Sequence, residues 1–143
     1  MHQESTMDFN RINDRLTVSG QITPEEIAIL AEKGFTTIID NRPDAEIGPE
    51  HGSETMAAAA QEAGLAFAYL PIVPGQFTPD LIAEMGRLID EAEGPVYAYC
   101  RSGTRSTTAW ALSRAGNLAP EEILKQAAGA GYDLSAIAAL LAR

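Results

Sequence analysis

The chain has 143 residues, of which 45% are hydrophobic and 21% charged, which is enough for one globular domain and too few for two. Twenty acidic side chains against ten basic ones give a net charge of −10. A nucleic-acid partner is therefore disfavoured, because binding to phosphate backbones needs a basic face.

The cysteine content and the apolar stretches set the expected location. Cys100 is the one cysteine of the chain, so no disulfide can form within it, and a reducing compartment fits. No apolar stretch reaches the length of a membrane span, and residues 1–7 lack the apolar core of a signal peptide. We therefore predict a cytoplasmic protein without a membrane partner, with a flexible tail at residues 1–8 and one folded domain at residues 9–143.

The first elements form a β-α-β unit. Residues 15–19 predict a short strand. Thr23 and Glu26 have the spacing of a capping box, so a helix begins there and ends near Gly34. Residues 35–40 are apolar and β-branched, which is typical of a strand buried on both faces.

The middle of the chain continues the alternation of helices and strands. Ser53 is the predicted cap of a helix that ends at Gly64, and residues 66–70 predict a third strand. A helix that begins at Thr78 has apolar residues at amphipathic spacing, namely Leu81, Ile82, Met85, Leu88 and Ile89. The next strand ends at Cys100.

Helical patterns dominate the C-terminal part. Helices are expected over residues 107–115, from Pro120 onward, and after a cap at Asp133. The alternation predicts a single α/β domain with a mostly parallel central sheet flanked by helices. Ligands of such sheets bind at the carboxyl ends of the strands, so the loops that follow Asp40, Leu70 and Cys100 are expected to share one cleft.

The segment from Cys100 to Ser106 joins a strand to a helix, and we interpret it as a nucleophile within an anion cradle. A helix N-terminus, free backbone N–H groups and Arg105 all favour the thiolate form of a cysteine. Gly103 allows the backbone to turn toward an anion. The candidate catalytic residues are Cys100 and Arg105, and the candidate anion-binding residues are Arg101, Ser102, Gly103, Thr104 and Ser106.

At several positions a purely structural role competes with a functional one. A lone cysteine that ends a buried strand is more often a small core residue, but two arginines and three hydroxyls within six residues favour a functional loop. Arg42 and Asp44 follow a strand and could border the cleft or form a surface ion pair. His51 is interpreted as an exposed histidine without a role. No spacing of metal ligands occurs, so neither a metal nor another cofactor is expected.

The cysteine segment resembles known enzymes. Residues 99–106 resemble the cysteine loop of rhodanese-type sulfurtransferases and of cysteine-based protein phosphatases. Together with residues 16–21, 38–44 and 69–72, they resemble the phosphatase-like domain of the bacterial beta-lactamase-hydrolase-like family, from about Phe9 to the C-terminus. The resemblance implies the fold of dual-specificity and protein tyrosine phosphatases.

Two departures from the phosphatase pattern bear on the chemistry. Those phosphatases place five residues between nucleophile and arginine, whereas Cys100 and Arg105 have four between them, as is typical of rhodaneses. Protein tyrosine and dual-specificity phosphatases also use an aspartate in the loop after the third strand as a general acid. The corresponding loop here, at residues 73–76, contains no aspartate, and Asp80 is the next acid along the chain.

These departures favour sulfur transfer as the first hypothesis. Cys100 would attack thiosulfate or a persulfide, become a persulfide itself, and pass the sulfur to an external thiol acceptor, because the chain holds no second cysteine. The second hypothesis is a phosphatase that hydrolyses phosphate esters through a phosphocysteine. The third is a non-catalytic module that binds an anion for regulation.

Overall fold

Five strands form one sheet in the computed structural model, which describes residues 7–142, and their order is β1-β2-β5-β3-β4. The strands are β1 (Asn10–Arg11), β2 (Leu16–Ser19), β3 (Thr37–Asp40), β4 (Ala66–Tyr69) and β5 (Val96–Tyr99). The helices are α1 (Pro24–Glu32), α2 (Ser53–Ala63), α3 (Pro79–Glu91), α4 (Thr104–Arg114), α5 (Pro120–Gly129) and α6 (Ala138–Leu141). Strands β2 to β5 pair in parallel and β1 pairs antiparallel with β2, so the predicted α/β class is confirmed.

The two faces of the sheet bury separate apolar clusters because successive side chains of a strand point to opposite sides. Ile38 and Tyr97 pack with residues of α1 and α2 on one face. Ile39 and Ala98 pack with α3, α4 and α5 on the other. Both faces of the central strands are therefore covered, and the carboxyl ends of the strands remain as the edge where loops gather.

Helix starts differ most from the sequence-based expectations. The N-terminus of α2 is capped by the carboxylate of Asp44, which accepts hydrogen bonds from the backbone N–H (2.8 Å) and the hydroxyl (2.6 Å) of Ser53, so Ser53 is not itself the cap. Helix α4 begins at Thr104, three residues earlier than expected, because Gly103 at φ +94° turns the chain directly into the helix.

The two ends of the described chain are less regular than its middle. The sequence pattern missed β1, whose two residues are too few to show an alternation. After Asp133 a 3-10 turn over residues 135–137 precedes the short α6, where one helix was expected. Residues 1–6 of the predicted tail lie outside the described part. Asp8, the last residue of that tail, contacts the domain, because its backbone oxygen accepts a hydrogen bond from the Tyr97 hydroxyl at 2.5 Å. Between residues 7 and 142 no helix is long and apolar enough to cross a membrane.

Ile38 provides a test of the central packing. Its side chain is fully buried in β3, between two other strands, so Ile38→Ala is expected to lower the free energy of unfolding by about 2 to 5 kcal/mol in urea titrations. Val73→Ala is the control, because Val73 is 47% exposed and its truncation should change that free energy by less than about 0.5 kcal/mol. Equal urea midpoints for the two variants would contradict this placement of the core.

Candidate active site

The carboxyl ends of three strands are joined by one buried residue, Asn41. Its backbone N–H donates to the carbonyl of Tyr99 (2.8 Å), and its own carbonyl accepts from the N–H of Ile72 (2.9 Å). Its side-chain amide donates to the carbonyl of Leu70 (2.8 Å) and accepts from the hydroxyl of Ser106 (2.7 Å). The three loops that were expected to share a cleft therefore do meet.

Cys100 lies at the end of β5 and is fully buried. The backbone N–H of Gly103 donates to its Sγ at 3.1 Å, and its own N–H donates to the carbonyl of Ser19 at 3.3 Å. An N–H group that points at sulfur stabilises negative charge there. The N–H of Gly103 therefore points at the Cys100 sulfur, as the predicted nucleophile needs.

Arg105 is held by three of its five N–H groups. Nη1 and Nη2 donate to the two carboxylate oxygens of Glu46 at 2.9 and 2.8 Å, and Nη1 also donates to the carbonyl of Ile72 at 2.7 Å. The two remaining hydrogens, on Nε and Nη2, lie on one edge of the guanidinium, where residues 7–142 supply no acceptor. This edge matches two oxygens of a bound oxyanion.

Glu46 is the partner that the sequence did not reveal. It lies in a 3-10 turn after β3, and the hydrogen bonds from Arg105 hold the pKa of its carboxyl below the usual value. The same pairing raises the pKa of Arg105. Arg42 also contacts Glu46: its Nη2 donates to the Glu46 carbonyl at 3.1 Å, and its Nε lies 3.5 Å from the Glu46 carboxylate.

The other predicted site residues take varied positions. Arg101, Ser102 and Thr104 are exposed on the outer side of the loop, and the hydroxyls of the last two lie 3.1 Å apart. Ser106, a predicted anion-binding residue, donates its hydroxyl hydrogen to the side chain of Asn41. Asp44 is not brought to the cysteine loop, because it caps α2 as described above.

Few acids approach the loop. Of the carboxylates within residues 7–142, Glu46 alone is hydrogen-bonded to the segment from Cys100 to Ser106, and both of its oxygens are used by Arg105. Asp80 is exposed in the first turn of α3, and the strand end after β4 contributes the carbonyl of Ile72 and no acid. The part of the chain that the structure describes also contains no group of three potential metal ligands.

A buried carboxyl lies one residue before Asn41. Asp40 is 2% exposed, and this burial raises its pKa to about 6, although the Arg42 N–H that it accepts at 2.9 Å opposes the rise. Its aromatic neighbour Tyr99 lies beside it on the face of α1 and α2.

A sizeable cavity of the described part lies away from the cysteine loop. It has a volume of about 1060 Å³ and lies between α3, α4 and the C-terminal segment, with Phe77, Ile82 and Leu112 in its walls. The loop and the free edge of Arg105 remain the predicted anion site.

Known proteins similar to this chain identify its family. A protein-family model described as "Beta-lactamase hydrolase-like protein, phosphatase-like domain" matches residues 8–117. A beta-lactamase hydrolase-like protein of Xylella fastidiosa is 36% identical over 125 residues, which are 86% of this chain and 29% of that protein. The chain thus spans less than a third of the length of this relative.

Solved structures share the fold. One described as a "putative phosphatase" from Neisseria meningitidis has a TM-score of 0.80 at 31% identity and covers 92% of this chain and 94% of its own. PTPMT1 has a TM-score of 0.74 with coverage of 93% and 90%, and at 16% identity it shows the fold alone. The predicted protein-tyrosine-phosphatase-like fold is therefore confirmed.

Gly103 is expected to be irreplaceable in the loop. A Cβ at this position would overlap the hydroxyl of Tyr132, in addition to the cost of a positive φ. Gly103→Ala should lower the affinity for inorganic phosphate by at least about tenfold in an NMR titration, because the N–H groups that face the anion are displaced.

Gly34→Ala is the matched control for Gly103→Ala. Gly34 has the same φ of +94° and nothing within 4 Å of the added Cβ, so only the backbone cost of about 1 to 2 kcal/mol should appear, with unchanged phosphate affinity. The same loss of phosphate affinity in both variants would contradict the close approach of Tyr132 to the loop.

Asp40 should make stability depend on pH. Its pKa is about 6 in the folded chain against 3.8 for an unperturbed aspartate, so the folded state holds an extra proton between these pH values. Its contribution is full below about pH 4 and is lost as the pH rises through about 6, by up to about 3 kcal/mol. Asp40→Asn keeps an acceptor for the Arg42 N–H and should flatten this fall in urea titrations, whereas Asp80→Asn at an exposed site should retain it.

Proposed function

Since the chain belongs to the phosphatase-like domain family of beta-lactamase hydrolase-like proteins, we propose that it is a cysteine-dependent phosphatase acting on phosphate monoesters. The observation that carries this proposal is the free edge of Arg105, formed by Nε and Nη2. Arg105 lies in the same loop as Cys100, and Glu46 fixes its orientation. A dianionic phosphoryl group needs such a bidentate donor together with inward backbone N–H groups.

The proposed reaction has two displacements. The Cys100 thiolate attacks phosphorus, the bond to the leaving oxygen breaks, and a phosphocysteine forms while Arg105 and the loop N–H groups hold the phosphoryl oxygens. Water then attacks phosphorus, the S–P bond breaks, and inorganic phosphate and the thiolate are released. Because Glu46, the one carboxylate within residues 7–142 that is hydrogen-bonded to the cysteine loop, is engaged by Arg105 through both oxygens, aryl phosphates are the preferred substrates over alkyl phosphates.

Sulfur transfer is the second candidate, and the four-residue spacing between Cys100 and Arg105 favours it. The thiolate would attack the outer sulfur of thiosulfate, the S–S bond would break, and sulfite would leave as an anion that needs no proton. An external thiol would then remove the sulfur from the Cys100 persulfide. The names of the matched family and structures favour phosphate chemistry, so sulfur transfer stays a prediction from the loop.

Two assays on the purified chain separate these candidates. Hydrolysis of an aryl phosphate is expected, and Cys100→Ser should lower its rate by at least about a thousandfold because the nucleophile is lost. Arg105→Lys should cost about a hundredfold or more, since an ammonium cannot bind both Glu46 and the phosphoryl oxygens. Arg101→Lys is the matched change at an exposed arginine of the same loop and should cost far less.

The second assay is transfer of sulfur from thiosulfate to cyanide. Turnover that depends on Cys100, with a mass increase of one sulfur on that residue and no phosphate release, would replace the phosphatase proposal by sulfur transfer. If neither reaction depends on Cys100 while phosphate still binds, the remaining assignment is the non-catalytic anion-binding module.

A further inference from the structure

One peptide unit of the cysteine loop is hydrogen-bonded at both of its ends. The N–H of Gly103 donates to the Sγ of Cys100 at 3.1 Å, and the carbonyl of Ser102, which belongs to the same peptide, accepts from the hydroxyl of Tyr132 at 2.9 Å. The N–H and C=O of a trans peptide point in opposite directions within one plane. Any contact that holds this carbonyl outward therefore holds the N–H inward, on the sulfur.

Tyr132 reaches the loop from a distant part of the chain. It follows α5 and lies beyond residues 8–117, which are the part that the family model matches. Its hydroxyl oxygen accepts from the Nδ2 of Asn10 at 3.0 Å, which leaves its single hydrogen for the carbonyl of Ser102. Burial raises the pKa of Tyr132, so the phenol remains a neutral donor at physiological pH.

We propose that Tyr132 is a positioning residue for the nucleophile, which it serves by fixing the peptide between Ser102 and Gly103. Its hydrogen bond orients the carbonyl outward, and a bond to the carbonyl also polarises the peptide, so that the N–H of Gly103 becomes a stronger donor to sulfur. Gly103 has no side chain, which lets the hydroxyl lie directly against this peptide. The inference rests on Cys100 acting as the nucleophile of the proposed function.

The test is an equilibrium titration of the thiolate in the full chain. Cys100 is the one cysteine, so the thiolate absorbance near 240 nm, taken as the difference from the same protein with Cys100→Ser, reports on this residue. Tyr132→Phe is expected to raise the pH midpoint of thiolate formation by about half to one pH unit, because the N–H that stabilises the thiolate is no longer fixed on it.

Tyr97→Phe is the matched control. The Tyr97 hydroxyl also donates to a backbone carbonyl, that of Asp8 at 2.5 Å, but this carbonyl lies outside the cysteine loop. Its removal should leave the midpoint unchanged, although it also takes one hydrogen bond from the fold. An unchanged midpoint in Tyr132→Phe, or an equal shift in Tyr97→Phe, would overturn the proposal.

Asn10→Ala provides a second variant if Tyr132→Phe fails to fold. It removes the donor that directs the Tyr132 hydroxyl, and a smaller upward shift of the midpoint is expected, so the absence of any shift would count against the proposal. The titration needs no substrate. A wild-type chain without phosphatase activity would therefore overturn the proposed function and leave the role of Tyr132 to be decided by the midpoints.

Discussion

Fully buried, Asn41 makes four hydrogen bonds to three backbone groups and the Ser106 hydroxyl, and a fifth, longer one from its Nδ2 to the Met85 sulfur at 3.9 Å; the geometry of the site depends on the first four. Its backbone and amide groups link the ends of β3, β4 and β5 to the first turn of α4. A buried amide tolerates few alternatives, since an unpaired donor or acceptor costs about 1 to 3 kcal/mol. The loop that begins at Cys100 and the carbonyl of Ile72 that receives Arg105 are thus fixed in one frame before any ligand arrives.

The charged side chains beside the cysteine loop form ion pairs. The chain carries a net charge of −10, and near the loop the Glu46 carboxylate pairs with both Arg105 and Arg42. The donors that an anion would meet are directional, namely the free edge of the guanidinium, the N–H of Gly103 and the N-terminus of α4. Glu46 thus orients Arg105 through two hydrogen bonds. If an anion binds as proposed, its recognition should depend on short hydrogen bonds, which act over distances where salt screens little.

Features that depend on residues close together in the sequence could be predicted from it. The central strands and α1, α3 and α5 follow from periodicity and caps, and the cysteine loop is contiguous, so its cradle residues could be identified together. The residues that were missed act across the chain: Glu46 pairs with an arginine 59 positions later, and Tyr132 contacts a carbonyl 30 positions earlier. Neither lies in a periodic segment, and their pairing arises only when the parallel strands bring loops to one edge.

The fold and the loop thus constrain binding more tightly than they constrain chemistry. Phosphate esters and thiosulfate both present tetrahedral groups with several oxygens, and the donors around Cys100 suit either one. The two reactions differ at the leaving group, because an alkoxide needs a proton whereas sulfite and aryl oxides depart without one. The one carboxylate hydrogen-bonded to the loop among residues 7–142 is engaged with both oxygens by Arg105. Under the proposed function, the preferred substrates are therefore those whose leaving group departs without a proton from the protein.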